Sequence, residues 1–439
     1  MNHDTCLFAR GGPDEDLSEQ DLRAGLFAAL DALGPRSRVL ALPPDGTRAH
    51  SRAAPLLSAL LEYYGDALAA VMPALGTHRP MDEAEFSARF PGIPFRLCVA
   101  HDWRGSLTEL GRVPAAFVRS VSDGLCDFDW PAQVNRLVAE GGFDLIVSLG
   151  QVVPHEVVGM ANHSKNLFVG VGGREGINRS HWLGAAWGIE RVLGRVDTPV
   201  RAVLDWASEK FARDLPLLYA LTVVGPSRAG PSGPGVSGIT AGEEGRDCVR
   251  GLYIDRGRSG FERAAALSAL VNVTDTGKPV RDMLVWLDPA EFRSTWLGNK
   301  AIYRTRLAMA DGGRLTVLAP GLDRFGEDRR IDATIRAHGY RGAARARELV
   351  ASGELAHDLA GAAHLAHGSS EGRFTVRYAA GGLSRAEVEG VGYEWADCAD
   401  ETRRLDPASL RDGWNTVDGR ELYFVRNPAL GLWTCRPLD

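Results

Sequence analysis

Short apolar runs, each closed by a polar or glycine-rich turn, recur through the first half of the chain. Arg38-Val-Leu-Ala-Leu42 runs into Pro43-Pro44-Asp45-Gly46-Thr47-Arg48. Phe95-Arg-Leu-Cys-Val-Ala100 runs into His101-Asp102-Trp103-Arg104-Gly105. Phe143-Asp-Leu-Ile-Val-Ser-Leu149 runs into Gly150, and Leu167-Phe-Val-Gly-Val171 into Gly172-Gly173-Arg174. Stretches of helical spacing, such as Ala54 to Tyr64, lie between them. The apolar runs read as buried strands, and their alternation with helices predicts an α/β fold on a largely parallel sheet. Ligands of such sheets bind beyond the carboxyl ends of the strands, so the turns are where chemistry is expected.

With 439 residues the chain can bury more than one core. Thr274-Asp-Thr-Gly-Lys-Pro279 reads as a hinge. Residues 1–273 are expected to form an N-terminal cofactor-binding domain and 274–439 a C-terminal α/β domain. In the second, Met283-Leu-Val-Trp-Leu287 and Arg314-Leu-Thr-Val-Leu-Ala319 read as strands, with a helix over Phe292 to Ala310. Glu421 to Val425 and Leu432 to Thr434 read as a terminal hairpin that could return to the first domain. The predicted architecture is two α/β domains with an active-site cleft between them, closing about the hinge. Gly225 to Gly245, rich in Gly, Pro and Ser, reads as an exposed loop.

Composition excludes several classes. A formal net charge of −6 argues against a nucleic-acid partner. No apolar run has the roughly 18–20 residues of a membrane helix. The N-terminus lacks a charged region followed by an apolar core, so no signal peptide is expected. The six cysteines form no Cys-x-x-Cys pair and suggest neither a zinc ribbon nor a disulfide scaffold. The expectation is a cytoplasmic protein with reduced thiols.

Basic side chains gather in the glycine-rich turns. His78 lies in Leu75-Gly76-Thr77-His78-Arg79-Pro80, and His155, Lys165 and His181 follow, ten and sixteen residues apart. The set could supply two acid/bases, a cofactor anchor and a metal ligand. Two readings from the residues alone stay open: a zinc hydrolase using His78, His155 and His181, and a non-catalytic cofactor-binding protein. His163 rivals Lys165 by proximity but reads as structural. His101-Asp102-Trp103 reads as a capped turn. His364-x-x-His367 has zinc-like spacing with no third ligand at a familiar distance. The polar stretch from His364 to Arg373 could meet a polyhydroxylated substrate.

Pro-Pro-Asp45-Gly-Thr-Arg48, Gly-Thr-His78-Arg-Pro and the spacing of Pro-His155, Lys165 and His181 resemble the nickel-dependent lactate racemase superfamily. The resemblance covers most of Val39 to His181 and continues more weakly to about residue 320. It implies a nickel-pincer nucleotide, a modified pyridinium mononucleotide that holds Ni(II) through two sulfurs and a ring carbon. On this resemblance His78 and His155 are the catalytic acid/base pair and His181 the nickel ligand. Lys165 is the covalent anchor, with Asp45, Thr47, Gly172 and Gly173 on the cofactor. Arg48 takes the substrate carboxylate, and Lys300 and Trp296 complete the substrate site. Enzymes that make the cofactor are implied as loading partners, and a homo-oligomer is compatible. The chain departs from the pattern where lactate-specific members carry Tyr-Gln; here stands Trp296-Leu297-Gly298-Asn299-Lys300. A second departure is Gly159-Met-Ala-Asn-His163-Ser-Lys165, where a run of small residues is expected.

The chemistry suits these residue types. Inverting C2 of a 2-hydroxy acid by proton abstraction would leave a carbanion beside a carboxylate. Transient hydride transfer to the cofactor avoids that, and the protein then supplies orientation and electrostatics. Two imidazoles can take and give the hydroxyl proton near neutrality, and an arginine fork binds a carboxylate in bidentate fashion. The planar sulfur-rich donor set suits Ni(II), completed by an imidazole. Gly170-Val-Gly-Gly-Arg174 could form a phosphate nest. With the Tyr-Gln pair absent, the expected substrate is a larger, polyhydroxylated acid of aldonate type, with lactate or a short-chain 2-hydroxy acid as the alternative.

Overall fold

The computed structural model describes residues 6–226 and 248–437. The predicted loop over Gly225 to Gly245 falls almost entirely outside the described residues. The chain divides into two compact units. Among the described residues one comprises 6–180, 194–226 and 248–271, and the other 181–193 and 272–437. The second therefore includes a short segment, His181–Leu193, from the middle of the chain.

The first unit is built on a six-stranded sheet. Its order is Phe8–Gly11, Cys248–Asp255, Leu217–Gly225, Leu145–Gln151, Val39–Leu42, Leu68–Val71. The last four strands run parallel and the first two pair antiparallel. Val39–Leu42 and Leu145–Gln151 are almost wholly buried, as expected of parallel strands covered on both faces. The helix Glu19–Leu33 starts at Ser18, which forms a reciprocal capping box with Asp21. Its Leu22, Leu26, Ala29 and Leu30 join Leu56, Leu57 and Leu60 of Ala53–Tyr64 on the sheet. Spacings of three and four residues put each set on one helix face.

Two runs read as strands take other forms. Phe95–Leu97 is a 3-10 turn followed by a single bridge from Cys98 to Val71. Asn166–Gly170 is a π-helix, with the Val171 N–H donating to the Asn166 carbonyl. Its residues are all buried, and Asn166 Nδ2 donates to the Leu42 carbonyl and to Ser148 Oγ. A short apolar run does not distinguish a strand from a buried helical turn.

The second unit has its own six-stranded sheet, ordered Glu394–Trp395, Thr375–Ala380, Met309–Ala319, Val280–Trp286, Arg420–Val425, Gly413–Val417. All pairs are parallel but the last. That last pair is a hairpin turned by Asp418 and Gly419 at φ 50° and 72°, the geometry an Asp-Gly two-residue turn supplies. The terminal hairpin expected between Glu421–Val425 and Leu432–Thr434 is thus replaced. Leu432–Thr434 instead pairs in parallel with Val273–Asp275, within this unit. The single helix expected between the strands is two short ones, Thr295–Gly298 and Lys300–Tyr303. Ile189 and Leu193 of the inserted segment pack with Tyr303 and Leu432. Among the described residues no helix is long and apolar enough to cross a membrane.

Candidate functional site

Three turns of the first unit follow the carboxyl ends of three adjacent parallel strands. Pro43–Arg48 follows Val39–Leu42, Pro73–His78 follows Leu68–Val71, and Val152–His155 follows Leu145–Gln151. The first two are tied together, since Ala74 N–H donates to the Pro43 carbonyl at 2.7 Å. Gly76 N–H reaches the Gly170 carbonyl at 2.8 Å, joining the second turn to the π-helix.

Asp45 and His78 meet in this layer. The His78 Nδ1 lies 2.7 Å from Asp45 Oδ2, with the carboxylate almost buried and the imidazole largely open. A carboxylate only accepts, so Nδ1 carries the proton and Nε2 presents its lone pair. His155 has the opposite arrangement. It is 5% exposed and its Nδ1 accepts the Val157 N–H at 3.1 Å, which leaves the proton of the neutral ring on Nε2. Nε2 is therefore a bare acceptor on His78 and a hydrogen-bond donor on the neutral His155.

Arg48 lies in the 3-10 segment Gly46–Ser51, with Thr47 beside it, and breaks that segment at φ −114°, ψ 42°. Its carbonyl accepts from Arg89 Nη2 at 2.9 Å, and the same nitrogen reaches Ser51 Oγ at 3.2 Å. Burial lowers the Arg89 pKa, against the pull of Asp45.

Lys165 immediately precedes the π-helix. Burial, reinforced by Arg48, pushes its ammonium down to about 8; Glu156 and Asp45 act in the other direction and Arg201 adds to the lowering. Asp45, Arg48 and Glu156 therefore each lie within electrostatic reach of Lys165, with His78 bound to Asp45. Glu156 is a member that sequence reading missed, although it adjoins His155.

Gly172 and Gly173 close the turn before the helix Arg174–Trp187, and space explains them. A Cβ at Gly172 would sit 1.8 Å from the Phe168 carbonyl oxygen, and one at Gly173 2.1 Å from Gln133 Oε1. His101 braces this turn. It is buried, donates from Nε2 to the Gly172 carbonyl at 2.9 Å, and faces Asn135 Nδ2 through Nδ1 at 3.0 Å. Burial lowers its pKa, so the ring stays neutral. His163 is equally structural. Its ring stacks near Tyr219 and Phe261, and burial pushes its pKa down to about 3.

The remaining predicted residues lie in the second unit. The helix Arg174–Trp187 divides at Ser180, so His181 begins the segment grouped with that unit. There Glu190 accepts from Arg306 at 2.9 Å and Arg373 at 2.7 Å. Trp296 lies on Thr295–Gly298, its ring 4.4 Å from His364, and Lys300 starts the next helical turn with Nζ 5.8 Å from the Phe292 ring. The stretch His364–Arg373 is buried through Ser369 and exposed at Glu371 and Gly372. His364 faces Tyr340 OH at 3.0 Å, Glu371 accepts from the Ala343 N–H, and Arg373 bonds Glu190, Asp311 and the Met309 carbonyl. Among the described residues no three His, Cys, Asp or Glu side chains gather as a metal-binding group.

Residues 28–188 match the family model of the lactate racemase N-terminal domain. A crystal structure of a protein from Thermotoga maritima superimposes with a TM-score of 0.74 at 26% identity, over 97% of this chain and 99% of that one. The lactate racemase apoprotein from Thermoanaerobacterium thermosaccharolyticum superimposes with a TM-score of 0.67 at 13% identity, over 97% and 94%; at that identity the likeness is one of fold. Among curated protein sequences none matches. Residues 28–188 therefore carry a lactate racemase N-terminal domain, in a chain whose α/β fold is also that of the lactate racemase apoprotein.

Proposed function

We propose that the protein is a racemase or epimerase acting at C2 of a 2-hydroxy acid with a nickel-pincer nucleotide. The observation that carries this reading is the grouping in the first unit: a lysine with its pKa near 8, Arg48, and a His78 oriented by Asp45. The donor set fits the cofactor. A group that brings its own sulfur and carbon donors needs one imidazole, which His181 would supply, and no protein metal cluster. The same absence of a three-ligand cluster among the described residues weighs against the zinc hydrolase. Lys165 would hold the cofactor, since an amine with a pKa near 8 is partly neutral, and so nucleophilic, at physiological pH. Thr47 and the Gly172-Gly173 turn would border it.

When bound, the cofactor supplies reversible hydride acceptance at C2. The chain's own residues do the rest. Arg48 binds the carboxylate through its fork. His78, with Nε2 bare, would take the hydroxyl proton of one enantiomer and become an imidazolium, while His155 would return a proton to the oxygen only from its imidazolium form; the other enantiomer would exchange the roles. General acid–base catalysis of this kind contributes about 10²–10⁴-fold. Lys300 and Trp296 would contact the substrate beyond its carboxylate. The Trp296-Leu297 pair in place of a phenol and an amide, together with the polar segment His364–Arg373, favours a larger, polyhydroxylated acid.

The test is protein co-expressed with cofactor-making enzymes, analysed for metal and by mass spectrometry, then assayed on lactate, malate, gluconate and mannonate. One nickel per chain and an adduct lost in Lys165→Ala are expected, with turnover of a larger acid. Zinc alone would defeat the reading, and turnover of lactate alone would defeat the substrate preference.

A further inference from the structure

The backbone turns left-handed twice in succession just before Lys165, at Asn162 (φ 70°) and His163 (φ 58°). The left-handed conformation is strained for an L residue, and such strain persists only where the surroundings over-determine it. Asn162 offsets part of the cost itself, because its Oδ1 accepts the His163 N–H at 2.8 Å. His163 is held by its ring partners and by donation from Nε2 to the Gly257 carbonyl at 3.0 Å.

The other support is Arg201, 0% exposed. Its Nη2 donates to the carbonyls of Met160 at 2.6 Å and Asn162 at 3.2 Å, and its Nη1 to the Asn162 carbonyl at 3.3 Å and Ser164 Oγ at 2.9 Å. The guanidinium also lies over the Phe261 ring at 4.3 Å. Ser164 passes the contact on to Asp205 Oδ1 at 2.9 Å, and Arg258 holds the other carboxylate oxygen. Burying a guanidinium costs several kcal/mol before its partners offset it. An apolar side chain could fill the same space without that cost. What an apolar side chain could not do is bind residues 160, 162 and 164 at once, all on the segment that leads to Lys165.

We propose that Arg201 is the positioning residue for Lys165: by clamping Met160, Asn162 and Ser164 it holds the left-handed pair and fixes where Lys165 leaves the chain. The inference rests on the reading of Lys165 as the cofactor anchor. The charged groups facing Lys165 are Arg48, Asp45, Glu156 and Arg201 itself, so the clamp is also a second buried cation that disfavours a protonated amine.

The chain suits a direct test because it has only four lysines, Lys165, Lys210, Lys278 and Lys300. Cofactor-free, full-length protein is pulsed with acetic anhydride across a pH series, and each lysine peptide is quantified by mass spectrometry. Lys210 and Lys278, with side chains 50% and 51% exposed, serve as internal references. In the wild type the Lys165 profile is expected to turn over near pH 8. Arg201→Lys keeps the charge but not the fork, and its Lys165 midpoint is expected to rise by about one pH unit or more. Arg201→Met should raise it further, while Lys210 stays in place. Ser164→Ala removes one arm and gives a smaller rise even where Arg201→Met fails to fold. A loss of global stability alone would not move the native-state profile of one lysine. Folded Arg201→Lys and Ser164→Ala proteins with wild-type Lys165 profiles would overturn the proposal. Because no cofactor is present, this result stands apart from whether wild-type Lys165 ever carries an adduct, the outcome that bears on the function itself.

Discussion

Asp45 lies under His78, its Oδ2 2.7 Å from the ring Nδ1, and so fixes which imidazole nitrogen faces outward as a base. Asp45→Asn replaces a pure acceptor with a group that can equally offer an N–H to Nδ1. The bare nitrogen would then no longer be the outer one. In loaded enzyme, kcat is expected to fall about 10²-fold or more with a much smaller change in KM. Steady-state kinetics in both directions check this, and an unchanged kcat would refute the orienting role.

Lys165 holds its amine at a cost to the fold. Its folded pKa, about 8, lies below the ordinary value of 10.5. Between these values the unfolded chain binds the proton more tightly, so stability rises as pH rises from about 8 to 10.5. Below 8 the full penalty applies, on the order of 3 kcal/mol. Lys165→Met should therefore be more stable than wild type at pH 7, by up to about that amount, and the difference should shrink toward pH 10.5. Urea denaturation of both proteins at pH 7 and pH 10 measures it; a destabilised variant would show the lysine to be well solvated.

Glu190 anchors the segment that begins with His181. Burial pushes its carboxyl up, but Arg306 and Arg373 override that and leave the pKa lowered. Its contribution is thus complete above the ordinary glutamate range and lost as pH falls through the lowered folded value. Glu190→Ala strands the fully buried Arg306 guanidinium and is expected to cost about 3–5 kcal/mol at neutral pH. Glu190→Gln, which keeps an acceptor, should cost less. Denaturation at pH 7 and pH 3 tests both, and the gap to wild type should narrow at the lower pH.

Gly172 is constrained by backbone and Gly173 by a side chain. Gly172→Ala meets the Phe168 carbonyl, which cannot move without unwinding the π-helix, whereas Gly173→Ala meets the Gln133 amide, which can rotate. Overpacking of this kind costs about 1–3 kcal/mol, with Gly172→Ala at or above the top of the range and Gly173→Ala near the bottom. Thermal melts of the cofactor-free variants decide the order.

The motif-bearing turns were legible because Val39–Leu42 and Leu145–Gln151 are strands, and a turn after a parallel strand has a predictable location. The pairing of Asp45 with His78 was not, because 33 residues separate them and only the neighbouring strands bring them together. The π-helix after Lys165 has the same apolar run as a strand. The Asp418-Gly419 turn was an available signal, and weighing it would have placed the hairpin partner before Arg420 rather than after Val425. Arg201 could not be found from spacing, since one guanidinium in an amphipathic helix looks like any surface arginine until burial is known.

The buried histidines also shape what can be observed in solution. Burial lowers the pKa of His101, His163 and His364 alike. Two of the 11 imidazoles, His163 and His364, should therefore stay silent in a proton NMR titration through neutrality. The packing that makes some histidines parts of the scaffold leaves others, His78 and His357 among them, open at the surface.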